Sequence, residues 1–425
     1  MDKAFIKKYG TLLLLAAGAG IIFQLPYIRE TFYVPIQEAM NLSNAQMGEL
    51  SAGYATMATI SYFIGGLVAD KFSARKLLTF SFLATAVLGW WFSTFPSFNT
   101  ACLIFVLMGV TTIITYWSAV IKATRMLGSS EEQGRLFGLQ EGLRGVLNWL
   151  LVLGMTAVFV RFADQVVGTQ WAIRVCAIAV GIIGILNWFV IEDTKAEENS
   201  ESIKDVTLGM FKQLAFPRVW LLVAIVFFGY SLYGIFGYVN TLAINIYGLS
   251  AAGGATLGAF RYLIQAFGGI VGGFIADKIG SRLKVLIAGA TLTGLSYGLF
   301  LVLPEDVALL GVVLGNFVGG MFAIYLIRSV YFAIIDDAGI PVSRTGRVSG
   351  IVSALGFLPD VFMYTMIGGW LDNNTGKSGF NMTFIYAIAM AVGCIVMSLI
   401  LSRVIKRDKD SHNTVDTETV AVAAE

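Results

Sequence analysis

The sequence predicts an all-α integral membrane protein with twelve transmembrane helices in two pseudo-symmetric six-helix bundles. Three observations carry this expectation. First, the 425 residues are 57% hydrophobic and only 13% charged, where a soluble chain carries about 25% charged residues. Second, twelve apolar segments approach the roughly 20 residues that a spanning helix needs. Third, the chain repeats itself. Residues 64–71 read Ile-Gly-Gly-Leu-Val-Ala-Asp-Lys, and residues 271–278, starting 207 positions later, read Val-Gly-Gly-Phe-Ile-Ala-Asp-Lys. Gly134-Arg135-Leu-Phe-Gly138 is echoed 212 positions on by Gly346-Arg347-Val-Ser-Gly350. Both offsets are close to half the chain, which marks an internal duplication.

The first half, residues 1–191, holds the apolar segments 9–38, 47–69, 77–95, 101–125, 136–160 and 169–191. Span 1 follows Lys3, Lys7 and Lys8 and lacks a small-residue cleavage site, so it reads as a retained helix and not a removed signal peptide. Span 2 closes on the first copy of the repeated phrase, and Arg75 and Lys76 part it from span 3. Arg135 lies just before span 5 and Arg161 just after it. Residues 192–217 are charged at Glu192, Asp193, Lys195, Glu197 and Glu198, and read as a linker between the halves. The second half, 218–404, holds 218–243, 253–275, 285–303, 307–335, 347–370 and 381–402. Span 8 closes on the second copy of the phrase, before Arg282 and Lys284. Residues 405–425 are polar and read as a disordered tail.

Basic residues orient the chain. With the N-terminus cytoplasmic, twenty Lys and Arg fall in inside segments, and only Arg161 and Lys377 in outside loops. Both termini are therefore expected in the cytoplasm, with a multi-pass chain in an inner membrane. A net charge of +2 gives no reason to expect nucleic acid as a partner. Cys102, Cys176 and Cys394 lie inside apolar runs, so neither a disulfide framework nor a metal-binding spacing is present. The single histidine, His412, falls in the tail, which removes histidine-based zinc sites, triads and intramembrane relays. No metal, cofactor or enzyme activity is expected.

Twelve spans with a glycine-and-aspartate loop after span 2 and again after span 8 resemble the major facilitator superfamily. The first loop supplies Gly66, Asp70, Lys71, Arg75 and Lys76, with Ser73 where the family usually has glycine. The second supplies Gly273, Asp277, Lys278, Gly280 and Arg282, with Leu283 where a second basic residue is usual. The resemblance implies two bundles around a central cavity, alternating access and a monomer in the lipid bilayer. It also implies that the loop residues Gly66, Asp70, Arg75, Gly273, Asp277 and Arg282, with the echoed Arg135 and Arg347, form a conformational latch. The alternative is that these charges only fix topology.

Ionisable groups inside spans are expensive and usually face a protein cavity. Away from the span ends they are Arg29 and Glu30 in span 1, Lys122 in span 4, Glu141 and Arg144 in span 5, Arg261 in span 8, Arg328 in span 10 and Asp360 in span 11, whereas Arg125, Arg174, Asp336 and Asp337 lie close enough to span ends for interfacial or gate roles. Shifting Asp360 back by 212 lands on Asn148, a polar residue of span 5 that shares a helix face with Glu141 and Arg144. In the family, spans 1, 4, 7 and 10 line the cavity with 2, 5, 8 and 11 beside them, and every one of the residues away from the span ends falls on that set. Five bases against three acids predict an anionic substrate, since a desolvated guanidinium suits carboxylate or phosphate. The expected substrate contacts are Arg29, Tyr27, Arg144, Arg261, Arg328, Lys122 and Asn148. Structural readings stand beside these. Arg29 with Glu30, and Arg144 with Glu141, are potential ion pairs, and Lys122 and Arg328 can snorkel to the interface.

Burial disfavours a charged carboxyl unless a cation accompanies it. Asp360 is thus the leading proton-coupling candidate, followed by Glu141 and Glu30. Span 1 reads Pro26-Tyr27-Ile28-Arg29-Glu30 ahead of Pro35, which is similar to the organic-anion and organophosphate branch of the family. That likeness implies substrate contact at Arg29 with Tyr27 nearby. The spacing is shorter than the branch's, and span 7 offers Tyr230, Tyr233 and Tyr238 but no base. The expected function is proton-coupled secondary transport of a small organic anion: a carboxylate, sugar acid or phosphate ester. The rivals are a multidrug or cation exporter and a non-transporting membrane sensor.

Overall fold

In the computed structural model, residues 3–129, 132–193 and 203–422 are described. They form twelve helical spans in two sets of six. Ten are long and apolar enough to cross a bilayer, and Asn44–Lys71 and Ala74–Phe92 complete the sets as spans 2 and 3. Residues of the right chemistry start these helices. Ser43 and Gln46 form a reciprocal capping box on span 2, Ser73 caps span 3 and Asp164 caps span 6, Gln165–Val190. In the second half, Pro217 opens span 7, Pro217–Asn245, at the position where its missing N–H costs nothing. Ser250 caps span 8, Ala251–Ile279, and Ser281 caps span 9, Arg282–Val302. Span 8 ends on Gly280 at φ +66°, a left-handed turn that glycine adopts freely.

Three spans are interrupted at mid-depth, which the sequence reading missed. Span 1 runs as Lys3–Ile21, a short turn and then Arg29–Met40, and it kinks again at Phe32 because Pro35 has no N–H to offer its fourth predecessor. Span 11 is Val342–Gly356 followed by Pro359–Asn373, restarted by its proline. Span 4 is Phe98–Gly109 and Trp117–Arg125 joined by a π turn at Val110–Ile114. Threonine hydroxyls quiet that turn: Thr112 donates to the Met108 carbonyl at 2.7 Å and Thr115 to Thr111 at 2.8 Å. Irregular backbone at membrane depth is tolerated where it is shielded from lipid or lines a cavity. Spans 5 and 10 are Gln133–Phe159 and Leu310–Val330.

A helix, Ile203–Lys212, lies within the linker, and Phe211 on it stacks on Phe63 of span 2. Span 12, Ser378–Val422, differs from expectation at its end. It stays helical through the region from 405 that the sequence suggested was disordered.

The halves meet through spans 2 and 11 and through spans 5 and 8. We call the end where the chain begins and the halves are joined the linker side, and the opposite end the far side. On the far side Asp372 of span 11 caps the first turn of span 2. Asn44 N and Nδ2 donate to its Oδ1, and Ala45 N to its Oδ2, each at 2.8 Å. Gly48 and Gly368 make this approach possible, because a Cβ on either would strike the backbone of Tyr364 or Asn44. Outward faces are apolar and open to lipid, as at Val87, Ile182 and Phe189.

Candidate functional site

Between the halves lies a cavity of about 140 Å³. That is room for about five waters at their liquid volume of about 30 Å³ each, so a small solute fits. Spans 1, 2, 4, 5, 7, 8, 10 and 11 all contribute to its wall, and among the described residues spans 3, 6, 9 and 12 do not. The interruptions of spans 1, 4 and 11 coincide with it. Tyr27 stands in the first, Ile113 lies in the second with Trp117 just after it, and Phe357 lies in the third with Asp360 just after it.

Asp360 is buried at the restart of span 11. Its Oδ2 accepts from Tyr230 at 2.7 Å and from Tyr27 at 3.3 Å. Its Oδ1 has no hydrogen-bond partner. Among the described residues no cation pairs with it.

Arg328 also lines the cavity. Its guanidinium lies 4.0 Å from the Tyr233 ring centre and 5.9 Å from that of Tyr230. Nη1 is buried with no hydrogen-bond partner, and no described carboxylate pairs with the side chain. The ring faces lend it partial compensation, but they accept none of its N–H bonds well. Tyr230 thus stands between the two unsatisfied groups, its hydroxyl on Asp360 and its ring beside Arg328.

Arg144 and Asn148 line the wall on span 5, with Arg144 6.0 Å from the Phe23 ring centre. Asn148 accepts from Gln24 Nε2 at 2.7 Å, and Tyr262 of the other half donates to Gln24 Oε1 at 3.3 Å. Gln265 adds a further amide, in reach of Tyr325 at 3.4 Å.

Two of the expected arginines lie outside the wall. Arg261 pairs with Glu30 across the halves at 2.5 Å and donates to the Tyr233 hydroxyl. Glu30 faces the cavity and Arg261 stands behind it. Arg29 is enclosed by the rings of Tyr33, Tyr238 and Tyr364 at 5.1, 5.0 and 4.2 Å, and donates to Ser51 at 3.1 Å. It is 6% exposed and does not reach the cavity. Tyr27 lies in the break between the two helical segments of span 1 and Arg29 opens the second, so the wall takes Tyr27 and Arg29 is turned elsewhere. Lys122 lies on the last segment of span 4, away from the wall.

The loop arginines tie helices within one half. Arg75 pairs with Asp193 at 2.8 Å and covers Trp188, joining spans 3 and 6. Arg282 bonds Asp337 at 3.0 Å, Asp336 at 3.3 Å and the Ala333 carbonyl at 3.0 Å, joining span 9 to the end of span 10. Asp277 is exposed, Gly273 has open space at its Cα, and exposed Arg347 lies against Gly209 of the linker helix. Gly66 and the side chains of Asp70, Arg135 and Glu141 lie outside the described residues.

Gln24, Gln265, Tyr54, Tyr62 and Tyr262 were not anticipated as wall residues. A signal existed, because an amide in an apolar span is costly for the same reason as a charge.

The eight-helix wall and the paired halves have a counterpart in sequence. The profile described as Major Facilitator Superfamily matches residues 9–363. The chain belongs to this superfamily. As an integral membrane transporter of that family, it is similar to the inner membrane protein YihN of Escherichia coli (strain K12), with 30% identity covering 95% of this chain and 98% of that protein. It is more distantly similar to a hexuronate transporter of Bacillus subtilis (strain 168), with 22% identity covering 88% and 90%. Its fold matches a crystal structure of the nucleoside transporter NupG with a TM-score of 0.74 at 11% identity, covering 93% of this chain and 99% of that one. The superfamily's arrangement, with spans 1, 4, 7 and 10 at the cavity and 2, 5, 8 and 11 beside it, is the arrangement of this wall.

Proposed function

We propose that this transporter moves a small organic anion by alternating access, coupled to a proton. The observation that carries the reading is Arg328, a cation facing the cavity with Nη1 unsatisfied and no acid paired to it. A carboxylate, a sugar acid or a phosphate ester would complete it through two parallel N–H bonds. Arg144 adds positive charge to the wall, and Gln24, Asn148 and Gln265 offer bonds to polar groups elsewhere on the solute.

Asp360 supplies the coupling. With its carboxyl protonated, Arg328 is uncompensated and the cavity attracts an anion. With the proton gone, the two groups oppose each other's field and the anion is released. Glu30 is held by Arg261 and serves the seal between the halves instead of proton transfer.

The distribution of basic residues supports a cytoplasmic linker side, with both termini there and the chain in an inner membrane. The far-side contacts then close the cavity to the outside: Asp372 on span 2, Glu30 on Arg261, and Arg29 in its tyrosine cage. The unit of function is a monomer.

A second reading is a cation exporter, favoured by the unpaired Oδ1 of Asp360 facing the same space. Thermal-shift titration of purified protein with sugar acids, sugar phosphates, short carboxylates and cationic drugs separates the two. The anion reading expects one anion class to raise the unfolding midpoint, and Arg328→Gln to remove that shift. Stabilisation by cations alone, abolished by Asp360→Asn, would overturn the anion reading in favour of a cation substrate.

A further inference from the structure

Arg174 stands on the lipid side of the first half, remote from the cavity. It lies on span 6 about 13 Å from the far end, on the same helix face as the exposed Trp171 and Ile178. Its Nε donates to Ser93 at the end of span 3, at 3.2 Å. Trp171 and Trp90 flank the guanidinium at 5.0 and 5.5 Å, and Phe162 stacks on Trp171.

Two features need explanation. No carboxylate among the described residues pairs with Arg174. Among the described residues its terminal nitrogens make no hydrogen bond, and they are not fully enclosed by protein. A guanidinium left bare there is costly, and a neutral side chain would hold Trp90 and Trp171 as well. Side chains on a helix lean towards its N-terminus, which lifts the charge from span 6 to the level of Ser93. That is the interfacial zone, where Trp is at home and phospholipid phosphates reside.

We propose that Arg174, Trp90 and Trp171 form a binding site for the phosphate of a phospholipid in the far-side leaflet. The phosphate oxygens accept from the two terminal nitrogens while Nε stays on Ser93, and the tryptophans bracket the glycerol region. The bound lipid pins span 3 to span 6 at their far ends. Nothing in this inference depends on what the cavity carries.

The experiment uses the full chain purified in detergent and titrated with dioleoylphosphatidylglycerol. Inorganic phosphate and dioleoylglycerol serve as the two control arms. The unfolding midpoint is followed in parallel with native mass spectrometry of retained lipid. The phospholipid is expected to raise the midpoint while neither control does. Arg174→Gln is expected to shed one retained lipid and weaken half-saturation about tenfold, the equivalent of one charge-assisted pair. Arg161→Gln, another far-side base, should leave both readings unchanged. Should Arg174→Gln fold poorly, Arg174→Lys tests the same point, since it keeps the charge but loses the fork and should bind with intermediate strength. Equal retention and equal shift in either Arg174 variant would overturn the proposal. So would a shift reproduced by dioleoylglycerol, which would make the contact purely apolar, or by inorganic phosphate, which would make the site one for a free anion.

Discussion

Glu30 of span 1 and Arg261 of span 8 form a buried ion pair across the two halves, with side chains 7% and 3% exposed. Breaking such a pair leaves a charge with no partner and costs about 3–5 kcal/mol. Glu30→Gln is therefore expected to lower the unfolding midpoint sharply. The double substitution Glu30→Gln with Arg261→Gln is expected to recover much of the loss, because the orphan charge goes too. A double-mutant cycle by thermal denaturation reads the coupling, and additive losses would remove the pair's role in holding the halves together.

Arg328 behaves in the opposite way. Its Nη1 is already unsatisfied, so Arg328→Gln relieves a buried charge and is expected to leave stability unchanged or raised. Anion binding, followed by the midpoint shift on adding substrate, is expected to fall by tenfold or more, since a bidentate charge-assisted contact is lost. A variant that is destabilised and still binds would make Arg328 structural.

Asp360→Asn keeps an oxygen to accept from Tyr230 and Tyr27 but cannot take and release a proton. In proteoliposomes it is expected to abolish accumulation driven by a pH gradient while preserving counterflow exchange of substrate. Gradient-driven accumulation at the unsubstituted rate would exclude Asp360 as the coupling group.

Asp372→Ala removes three hydrogen bonds that hold the start of span 2 to span 11. Loss of such a cap costs about 1 kcal/mol, roughly a fivefold shift between closed and open far sides. Pulsed electron paramagnetic resonance between spin labels on the far ends of spans 2 and 11 should show a larger population of long distances. An unchanged distribution would mean that the glycine contacts alone keep the far side shut.

On the linker side, Lys7 holds the Glu192 carboxyl below its usual range, and Ser73 and Arg75 do the same for Asp193. A depressed carboxyl contributes stability above its ordinary range and loses it as pH falls through the lowered value. These groups are exposed, so the contribution is small. Stability should be flat from neutral pH to about pH 5 in their respect, and Glu192→Gln should move the midpoint at neutral pH by no more than measurement scatter.

The division into halves was legible in the sequence because duplication leaves the same phrase at 64 and 271. The helices were legible because a bilayer demands long apolar runs. Membership of the wall was harder to read. Arg29 and Tyr27 differ by two residues, and only the break at Leu25–Ile28 decides which of them faces the cavity. Arg261 has no acid within a turn of it on its own helix, and its partner comes from a helix more than two hundred positions away in the chain. Pairing across halves depends on relative placement, which periodicity within one helix does not encode. The breaks of spans 1 and 11 had local causes, Pro26, Pro35 and Pro359, whose depth in the membrane gave them their meaning.

Those interruptions have a mechanical consequence. A continuous helix transmits a tilt along its whole length, whereas one broken at Leu25–Ile28 or Phe357–Leu358 can pivot there by changing a few backbone torsions. Tyr27 and Asp360 sit at these pivots, on opposite sides of the same hydrogen bond. A proton or solute that alters that bond therefore acts at the fulcrum of two levers, whose far arms carry the Arg29 cage and the Asp372 cap.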